Sequence, residues 1–423
     1  MDNRFSRLFN LTEAQAIEVL DGAANDSDEA SNRYIAASHL VNFDTPEAIA
    51  ALVRAVQNDD DDLDNRIVRR KAVESLGRLK AASTLSVIAN CLNDADNYLV
   101  ENAAWAIDEI GTDDQQILET LAQQLDRDGQ SYRTIIHTLA KAGYTPAAER
   151  IERFTHSEQA PIASAAFSAL YRLKGDERAI AQVKKYLQST NVNARRGSIQ
   201  DLIDADYYQA IPHIAQCPVS MVFRLRGISL LGQSGIASNA LTFTDIQPIL
   251  EKTLKDHPNQ LALVHRYDQA QTLPSLVQAL YGTDFGRCYL ATKTLIETYP
   301  EEAPAALIES YKAEGYNDYG AHYHIMRLFG WLQVSAAYDL LVEALNNKAP
   351  QFQKSRTAAA IALAELGNPQ AIPELRNALT IPIWDLQYAA LLALTQLNDP
   401  QPLPLALDNA DLHWLVRAKL STI

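Results

Sequence analysis

Cysteine, glycine and proline are scarce in this sequence, and their scarcity excludes several classes of protein. The three cysteines among 423 residues, Cys91, Cys217 and Cys288, lie far apart and form no CxxC pair. A disulfide framework or a thiolate zinc site is therefore not expected. Glycine (16) and proline (17) each make up about 4% of the chain, which disfavours collagen-like, low-complexity and turn-rich all-β proteins.

Long apolar runs and positive charge are also lacking. No stretch of about 18 apolar residues is present, and no basic segment followed by an apolar one opens the chain. The 52 acidic residues exceed the 37 basic ones by 52 − 37 = 15. The sequence thus predicts a cytoplasmic protein that neither inserts into membranes nor binds nucleic acid, since phosphate binding requires a basic face.

A repeat of about 32 residues is the most informative feature present. Apolar positions at i, i+3, i+4 and i+7 define Ala/Leu-rich helices in segments such as "IVRRKAVESLGRL", "LVENAAWAIDEIG" and "SRTAAAIALAELG". We expect a left-handed residue to end each helix at a regularly spaced glycine or asparagine. These positions are Gly77, Gly111, Gly143, Gly175, Gly367 and Asn398.

The repeat predicts an all-α fold, a HEAT-like solenoid of about ten helix pairs, because a single hairpin cannot bury its apolar face alone. Residues 237–260 (ASNALTFTDIQPILEKTLKDHPNQ) are expected to form a loop-like break. This break would divide the array into continuous portions at 1–240 and 241–423. The acidic segment 58–65 is expected to be an inter-helix loop with an N-cap.

The glycine-anchored helices carry a polar stripe that we assign to the ligand-facing surface of the array. Aligning the repeats superposes Lys71, Trp105 and His137, with Glu101 one turn earlier. Arg66, Arg69 and Arg70 share one helix face and are candidates for binding carboxylates. The alternatives are ordinary solvated side chains for the stripe and inter-repeat salt bridges for the arginines.

Polar and aromatic residues are densest in the second half of the chain. The segment "GYNDYGAHYHIMRLFGW" suits a pocket for a large planar ligand, with core packing as the alternative. His322 and His324 diverge by about 200° on a helix, so they do not form a metal pair, and no metal site is expected. Further candidate residues are Tyr267, Asp268, Arg287, Asp318, Tyr319 and Trp331.

Several segments together are more specific than a helical repeat, among them "LDNRIVRRKAVESLGRLKAA", "CPVSMVFRLRG", "DFGRCYLATKT", "NDYGAHYH" and "QFQKSRTAAAIALAELG". They resemble the phycobilin lyases of the E/F clan, in particular the single-chain subgroup associated with phycoerythrin. The resemblance implies a cyanobacterial protein that attaches a linear tetrapyrrole, phycoerythrobilin, to a cysteine of a phycoerythrin subunit, by our interpretation the α subunit. Some members also isomerise it to phycourobilin. The bilin would be a substrate, with no tightly bound cofactor.

The resemblance also implies roles for the candidate residues. Asp318, Tyr319, His322 and His324 are expected to perform acid/base catalysis. The expected bilin-binding residues are Arg66, Arg69, Arg70, Glu101, Trp105, His137, Tyr267, Asp268, Arg287 and Trp331. Two alternatives to a lyase are a non-catalytic scaffold or chaperone for phycobiliprotein subunits and a protein that detaches or degrades bilins.

Overall fold

Helix follows helix along this chain, and no strand occurs in the described ranges. The computed structural model describes residues 11–22, 27–399, 401, 403 and 409–422. The chain divides into two compact units, Met1–Gln182 and Val183–Ile423. This division lies within a helix, Glu177–Tyr186. The division at 240/241 inferred from the repeat pattern stays a prediction.

The first unit stacks its helices in two layers. They are α1 (Glu13–Asp21), α2 (Ser27–His39), α3 (Pro46–Gln57), α4 (Leu63–Arg78), α5 (Leu85–Asn90), α6 (Asn97–Ile110), α7 (Gln115–Gln123), α8 (Tyr132–Lys141), α9 (Ala148–Glu152), α10 (Ala160–Lys174) and the junction helix α11 (Glu177–Tyr186). The even-numbered helices from α2 to α10 pack against one another in order, and the odd-numbered helices back them. This alternation is the HEAT-like arrangement that the repeat predicts.

The second unit also stacks its helices in layers, but the helix Phe243–Lys255 departs from the alternation. Its helices are α12 (Val192–Asp204), α13 (Ile211–Gln216), α14 (Met221–Ala237), α15 (Phe243–Lys255), α16 (Leu273–Ala279), α17 (Phe285–Thr298), α18 (Ala303–Ala313), α19 (Tyr319–Trp331), α20 (Tyr338–Asn346), α21 (Gln353–Glu365), α22 (Ile372–Leu379), α23 (Trp384–Gln396) and α24 (Trp414–Leu420). Helices α17, α19, α21 and α23 form one layer, and α15 packs against both α14 and α21.

The loop-like break expected at residues 237–260 is wrong, because most of this segment is helix α15. A capping box of Thr242 and Asp245 starts the helix, and Ile246, Leu250 and Leu254 are buried on one face. Pro248 lies inside the helix. The buried face outweighs the loss of one backbone hydrogen bond that this proline causes.

The acidic segment 58–65 behaves as expected. Asp62 caps α4, and its carboxylate accepts a hydrogen bond from the Asn65 backbone N–H at 2.7 Å. Positive φ is also confirmed at the helix ends Gly111, Gly143, Gly175, Gly367 and Asn398, although Gly111, with ψ of 145°, is extended rather than left-handed helical.

Gly77 is the exception among the expected helix ends. It lies inside α4, and Lys80, with φ of 51°, takes the left-handed conformation instead. A Cβ at Gly77 would lie 2.9 Å from both Cα and Cβ of Ala106 and 3.0 Å from the Trp105 ring. The glycine therefore permits the close approach of α4 to α6 rather than a turn.

Gly77→Ala is consequently expected to lower the free energy of unfolding by about 1–3 kcal/mol, the usual cost of overpacking a core. Denaturant unfolding followed by far-UV circular dichroism measures this loss. Gly22→Ala is the matched control in the same unit, because its φ is −66° and its nearest contact would be 3.4 Å. Equal effects of the two substitutions would contradict the packing role of Gly77.

Candidate functional site

The arginines of α4 are engaged in ion pairs within the first unit. Arg69 donates to Asp94 at 3.0 Å and to the Val56 carbonyl oxygen at 3.0 Å. Arg70 binds both carboxylate oxygens of Asp96, at 2.6 and 2.8 Å. Arg69 and Arg70 therefore form salt bridges between repeats, which was the alternative considered for these arginines. Carboxylate binding by this cluster stays a prediction.

Arg66 is less engaged, since its Nε lies 3.8 Å from an exposed Asp61 carboxylate. Three residues of the first-unit stripe, Glu101, Trp105 and His137, are half-buried on α6 and α8. Glu101 accepts a hydrogen bond from the Ser131 hydroxyl at 2.9 Å. Trp105 packs beside Gly77, and His137 lies on α8. None of these contacts identifies a ligand.

Four predicted residues of the second unit lie outside its cavity of about 610 Å³. Asp268 and Arg287 are exposed, and Tyr267 is half-buried, which raises the pKa of its phenol. Trp331 is half-buried between the Arg327 guanidinium, 4.8 Å from its ring, and the His257 ring. The structure does not bring these four residues together with the acid/base candidates around one cavity.

The two histidines expected to perform acid/base catalysis are core residues. His322 and His324 have no exposed surface. His322 stacks on Phe352 at 4.5 Å and lies 3.3 Å from the Tyr311 hydroxyl, and burial lowers its pKa to about 4. His324 is surrounded by the Phe285 and Tyr289 rings, and burial lowers its pKa well below the usual value.

Both imidazoles therefore follow the core-packing alternative, and their role in acid/base catalysis stays a prediction. Helix α19 is buried on nearly all sides, from Gly320 to Gly330, so both sides of the H-x-H segment point into the core. Asp318 caps this helix, and its carboxylate accepts hydrogen bonds from the Gly320 and Ala321 N–H groups at 2.8 and 2.7 Å.

Tyr319 is the acid/base candidate that does border a cavity. Its side chain is half exposed and faces a cavity of about 610 Å³ in the second unit. Cavities of about 300–1,000 Å³ are typical of small-molecule sites. The cavity is lined by Val222, Leu225, Arg226, Ser229, Leu230, Tyr319, Pro350, Gln351, Gln353, Lys354, Pro382, Ile383, Trp384, Asp385 and His413.

Lys354, in the first turn of α21, contributes a buried amine to this cavity. Its Nζ lies 3.2 Å from the centre of the Tyr319 ring and 4.2 Å from that of Phe285. Burial lowers the pKa of this amine to about 7, although the Asp318 carboxylate acts in the opposite direction. Close to neutral pH, the amine is therefore poised between its charged and uncharged forms.

Asp385, in the first turn of α23, supplies a buried carboxyl group. The Thr357 hydroxyl donates to its Oδ2 at 2.9 Å, and burial raises its pKa. Lys354 and Thr357 lie three residues apart, so they share one face of α21. A lysine with a lowered pKa and an aspartate with a raised pKa in one cavity form the kind of pair that performs acid/base chemistry.

His413 and Trp384 form an aromatic wall of the cavity. Their rings stack with centres 4.6 Å apart. The Leu415 N–H donates to Nδ1 of His413 at 3.3 Å, so Nε2 carries the proton and can donate to the Ser229 hydroxyl at 3.2 Å. Burial lowers the pKa of His413. The imidazole therefore acts here as a neutral, flat surface.

Sequence reasoning missed Lys354, Trp384, Asp385 and His413, which come from three separate segments. The sequence held one weak signal. Lys354 lies in the first turn of the Ala-rich helix of "QFQKSRTAAAIALAELG", and lysine is rarely buried at such a position. Arg226, beside the buried Arg224, is part of a pair of basic residues visible in the sequence.

The cysteines are all buried and free. Burial raises the pKa of Cys91 to about 11 and those of Cys217 and Cys288 to about 12. These thiols remain protonated at neutral pH, so none is a ready nucleophile.

Neither a metal-binding group nor a membrane span is found in the part of the chain that the structure describes. No cluster of three or more His, Cys, Asp or Glu residues there has the geometry to hold a metal ion. No helix within the same ranges is long and apolar enough to cross a membrane.

Comparison with known proteins first identifies the class of fold. A family model for HEAT repeats matches residues 62–133 and 338–421. The solved complex of CpcE and CpcF of phycocyanin lyase from a Nostoc species has a similar fold, with a TM-score of 0.50 and 24% identity, over 58% of this chain and 95% of that one. The protein is a HEAT-repeat protein.

Two relatives in sequence then define the family. An uncharacterized phycocyanin operon protein Y of Pseudanabaena tenuis is 57% identical over 99% of each chain. The bilin biosynthesis protein CpeY of a Synechococcus species is 32% identical over 87% of this chain and 90% of its own. The chain belongs to the CpcE/CpcF-like family of HEAT-repeat phycobilin lyases.

Proposed function

We propose that this protein is a phycobilin lyase that binds phycoerythrobilin in the cavity of the second unit. It joins the bilin through a thioether to a cysteine of a phycoerythrin α subunit. Family membership supports the lyase activity. The observation that carries the choice of site is the aromatic cavity of about 610 Å³ with one buried amine and one buried carboxyl group.

The walls of the cavity suit a flat, conjugated ligand. Trp384 and His413 offer a stacked aromatic surface, and Tyr319 offers a second one. Offset stacking on such rings contributes about 0.5–1.5 kcal/mol per pair beyond area burial. Arg226, which is exposed at the cavity, is suited to pair one of the two propionates of the bilin.

The reaction adds a thiol S–H across the exocyclic double bond of the bilin. The sulfur of the acceptor cysteine bonds to the ethylidene carbon while the π bond of that group breaks. A proton joins the adjacent ring carbon, and the thiol proton is released to a base, so atoms and charge balance. We assign delivery of the proton to Asp385, since a carboxyl group with a raised pKa retains its proton at higher pH.

Isomerisation to phycourobilin is the second part of the proposal. It moves a double bond, so one carbon loses a proton and another gains one while the formula is unchanged. Tyr319 and Asp385, which border the same cavity, are the groups we assign to these transfers. Holding the bilin and the acceptor cysteine in one orientation would supply the remaining rate advantage.

The test is to incubate the purified chain with phycoerythrobilin and a phycoerythrin α subunit. We expect a covalent product, detected by mass mapping of one modified cysteine, above the amount that forms with the acceptor alone. A product that absorbs further to the blue would identify the isomerase activity. Equal amounts of product with and without the chain would contradict the lyase.

Trp384→Ala is the informative variant in this assay, because it removes one wall of the cavity. Tyr316→Ala is its matched control, since Tyr316 is exposed and does not line the cavity. A scaffold without catalysis would bind the acceptor in the absence of bilin. The Trp384→Ala variant of such a scaffold would leave the amount of chromophore on the acceptor unchanged. Loss of chromophore from a preformed holo-subunit would indicate detachment of bilins instead.

A further inference from the structure

The Lys354 amine is buried without a partner. The residue is 3% exposed, and its Nζ has no hydrogen-bond partner in the structure. Three aromatic rings surround it, those of Phe285, Tyr319 and Tyr323, with centres at 4.2, 3.2 and 5.3 Å. Aromatic faces attract a cation but provide no hydrogen-bond acceptor comparable to a carboxylate.

The charged groups near Lys354 are already occupied by other contacts. The Asp318 carboxylate caps α19, and Asp256 accepts hydrogen bonds from Arg224, Tyr289 and Tyr323. The remaining titratable neighbours are Cys288 on α17, His322 and His324 on α19, and Arg196 on α12. No Asp or Glu of the described ranges forms an ion pair with this lysine.

Asp385 on the adjacent α23 does not provide the missing counter-ion. Its Oδ2 accepts a hydrogen bond from Thr357, and its own pKa is raised by burial. The Lys354 Nζ has no hydrogen-bond partner, so the Asp385 carboxyl group does not pair with it.

An ammonium group buried without a counter-ion is unfavourable by several kcal/mol, and a group in that position loses its proton instead. Lys354 follows this rule, since burial lowers its pKa to about 7. The same lysine borders the cavity of about 610 Å³. An anionic group that enters the cavity would therefore be able to form an ion pair with the unpartnered Lys354 amine.

We propose that Lys354 is a carboxylate-binding site, and that a planar dicarboxylate ligand takes up one proton as its carboxylate pairs with this amine. The identity of the ligand as a bilin rests on the function proposed above, whereas the proton coupling does not. Arg226 would pair one propionate, and Lys354 would pair the other.

The coupling has a definite sign. A carboxylate beside the amine raises the pKa of Lys354 back toward its ordinary value, so the ligand binds most tightly where the amine is protonated. Below pH 7 the amine already holds its proton, and binding takes up almost none. Between pH 7 and the pKa of the complex, affinity falls about tenfold per pH unit, and about 0.9 proton enters per ligand at pH 8.

Isothermal titration calorimetry with phycoerythrobilin tests this coupling. Titrations in buffers of different ionisation enthalpy give the number of protons taken up, at pH 6 and at pH 8. For the full chain we expect about 0.1 proton at pH 6 and about 0.9 at pH 8. Lys354→Met is expected to abolish the uptake and to weaken binding at pH 6 about tenfold or more.

Lys354→Arg separates the proton coupling from a merely structural role. Arginine keeps its charge throughout this range, so the variant should bind bilin at pH 8 without proton uptake and with an affinity that does not fall with pH. Lys348→Met is the matched control, because Lys348 is exposed and lies six residues away.

Two failures are distinguishable. Bilin that binds the unaltered chain at pH 8 without proton uptake, or with the same uptake in Lys354→Met, would overturn the role of Lys354 and leave the lyase intact. Bilin that fails to bind the unaltered chain at either pH would overturn the lyase proposal and the assignment of bilin as the ligand of Lys354. Circular dichroism of each variant establishes that it is folded.

Discussion

Replacing Asp256 with asparagine is expected to lower the free energy of unfolding of the second unit by about 3–5 kcal/mol, the usual cost of removing one partner of a buried ion pair. Asp256 and Arg224 have side chains that are 0% and 1% exposed. Burial lowers the pKa of the Arg224 guanidinium, but the Asp256 carboxylate more than offsets this effect and raises it. The variant would leave a buried guanidinium with no charge to balance it.

The tyrosines of this network explain why no neighbour can replace the carboxylate. The Tyr289 hydroxyl donates to Asp256 at 2.6 Å, and Tyr323 donates to the same oxygen. Burial, with the nearby carboxylate, raises the pKa of both phenols well above 10.0. Both phenols therefore stay neutral at any pH at which the protein is handled.

Denaturant unfolding followed by tryptophan fluorescence measures this loss, because three of the four tryptophans, Trp331, Trp384 and Trp414, lie in the second unit. Asp268→Asn serves as the control, since it makes the same chemical change at an exposed position. A loss no larger than that of the control would show that the ion pair does not stabilise this unit.

The helical repeat could be predicted because it is a local and periodic signal. The apolar spacing of α4, α6, α8 and α21 follows from 3.6 residues per turn, and the left-handed residues after them recur at the same interval. Gly77 was assigned the wrong role because a glycine that ends a helix and one that lets a neighbour approach look the same in a single sequence. Only the position of Ala106 distinguishes them.

The polar candidates of α19 could not be placed from their spacing. A dense run of histidine and tyrosine resembles a ligand site, yet the same residues also satisfy one another within a core. His322 stacks on Phe352, which lies 30 residues away, and Tyr323 donates to Asp256, 67 residues away. Burial of this helix depends on partners that the local pattern does not contain.

The cavity could not be predicted from the spacing of residues in the sequence, for a related reason. Lys354, Asp385 and His413 are brought together by the packing of α21 and α23 and by the approach of the segment before α24. Each of the three residues, taken alone in its own segment, gives no sign of a site. Their significance comes from shared burial, which shifts the pKa of Lys354 and that of Asp385 in opposite directions.

Asp385→Asn is expected to reduce the rate of bilin attachment by about 10²–10⁴-fold, the usual contribution of a positioned general acid. Asparagine matches the size of aspartate and can still accept the hydrogen bond from Thr357, so the fold should be retained. It has no proton to give to the ring carbon. The rate should fall with little change in the affinity for phycoerythrobilin, because the variant loses the proton donor and keeps the binding contacts.

The pH dependence provides a second signature of this role. Burial raises the pKa of Asp385, and the acid is active only while it is protonated. The wild-type rate should therefore decline as pH rises through that pKa, and the variant should lack this decline. The measurement is a single-turnover time course of thioether formation, with bilin binding followed separately by absorbance.

Asp411→Asn is the matched control for this change. Asp411 is exposed and borders a neighbouring cavity that shares Trp384 and His413 with the first. A wild-type rate in Asp385→Asn, or an equal fall in both variants, would contradict proton delivery by Asp385. If the rate falls only in Asp385→Asn but keeps its decline with pH, a different acid controls the reaction, and Lys354 and Tyr319 are the candidates that border the cavity.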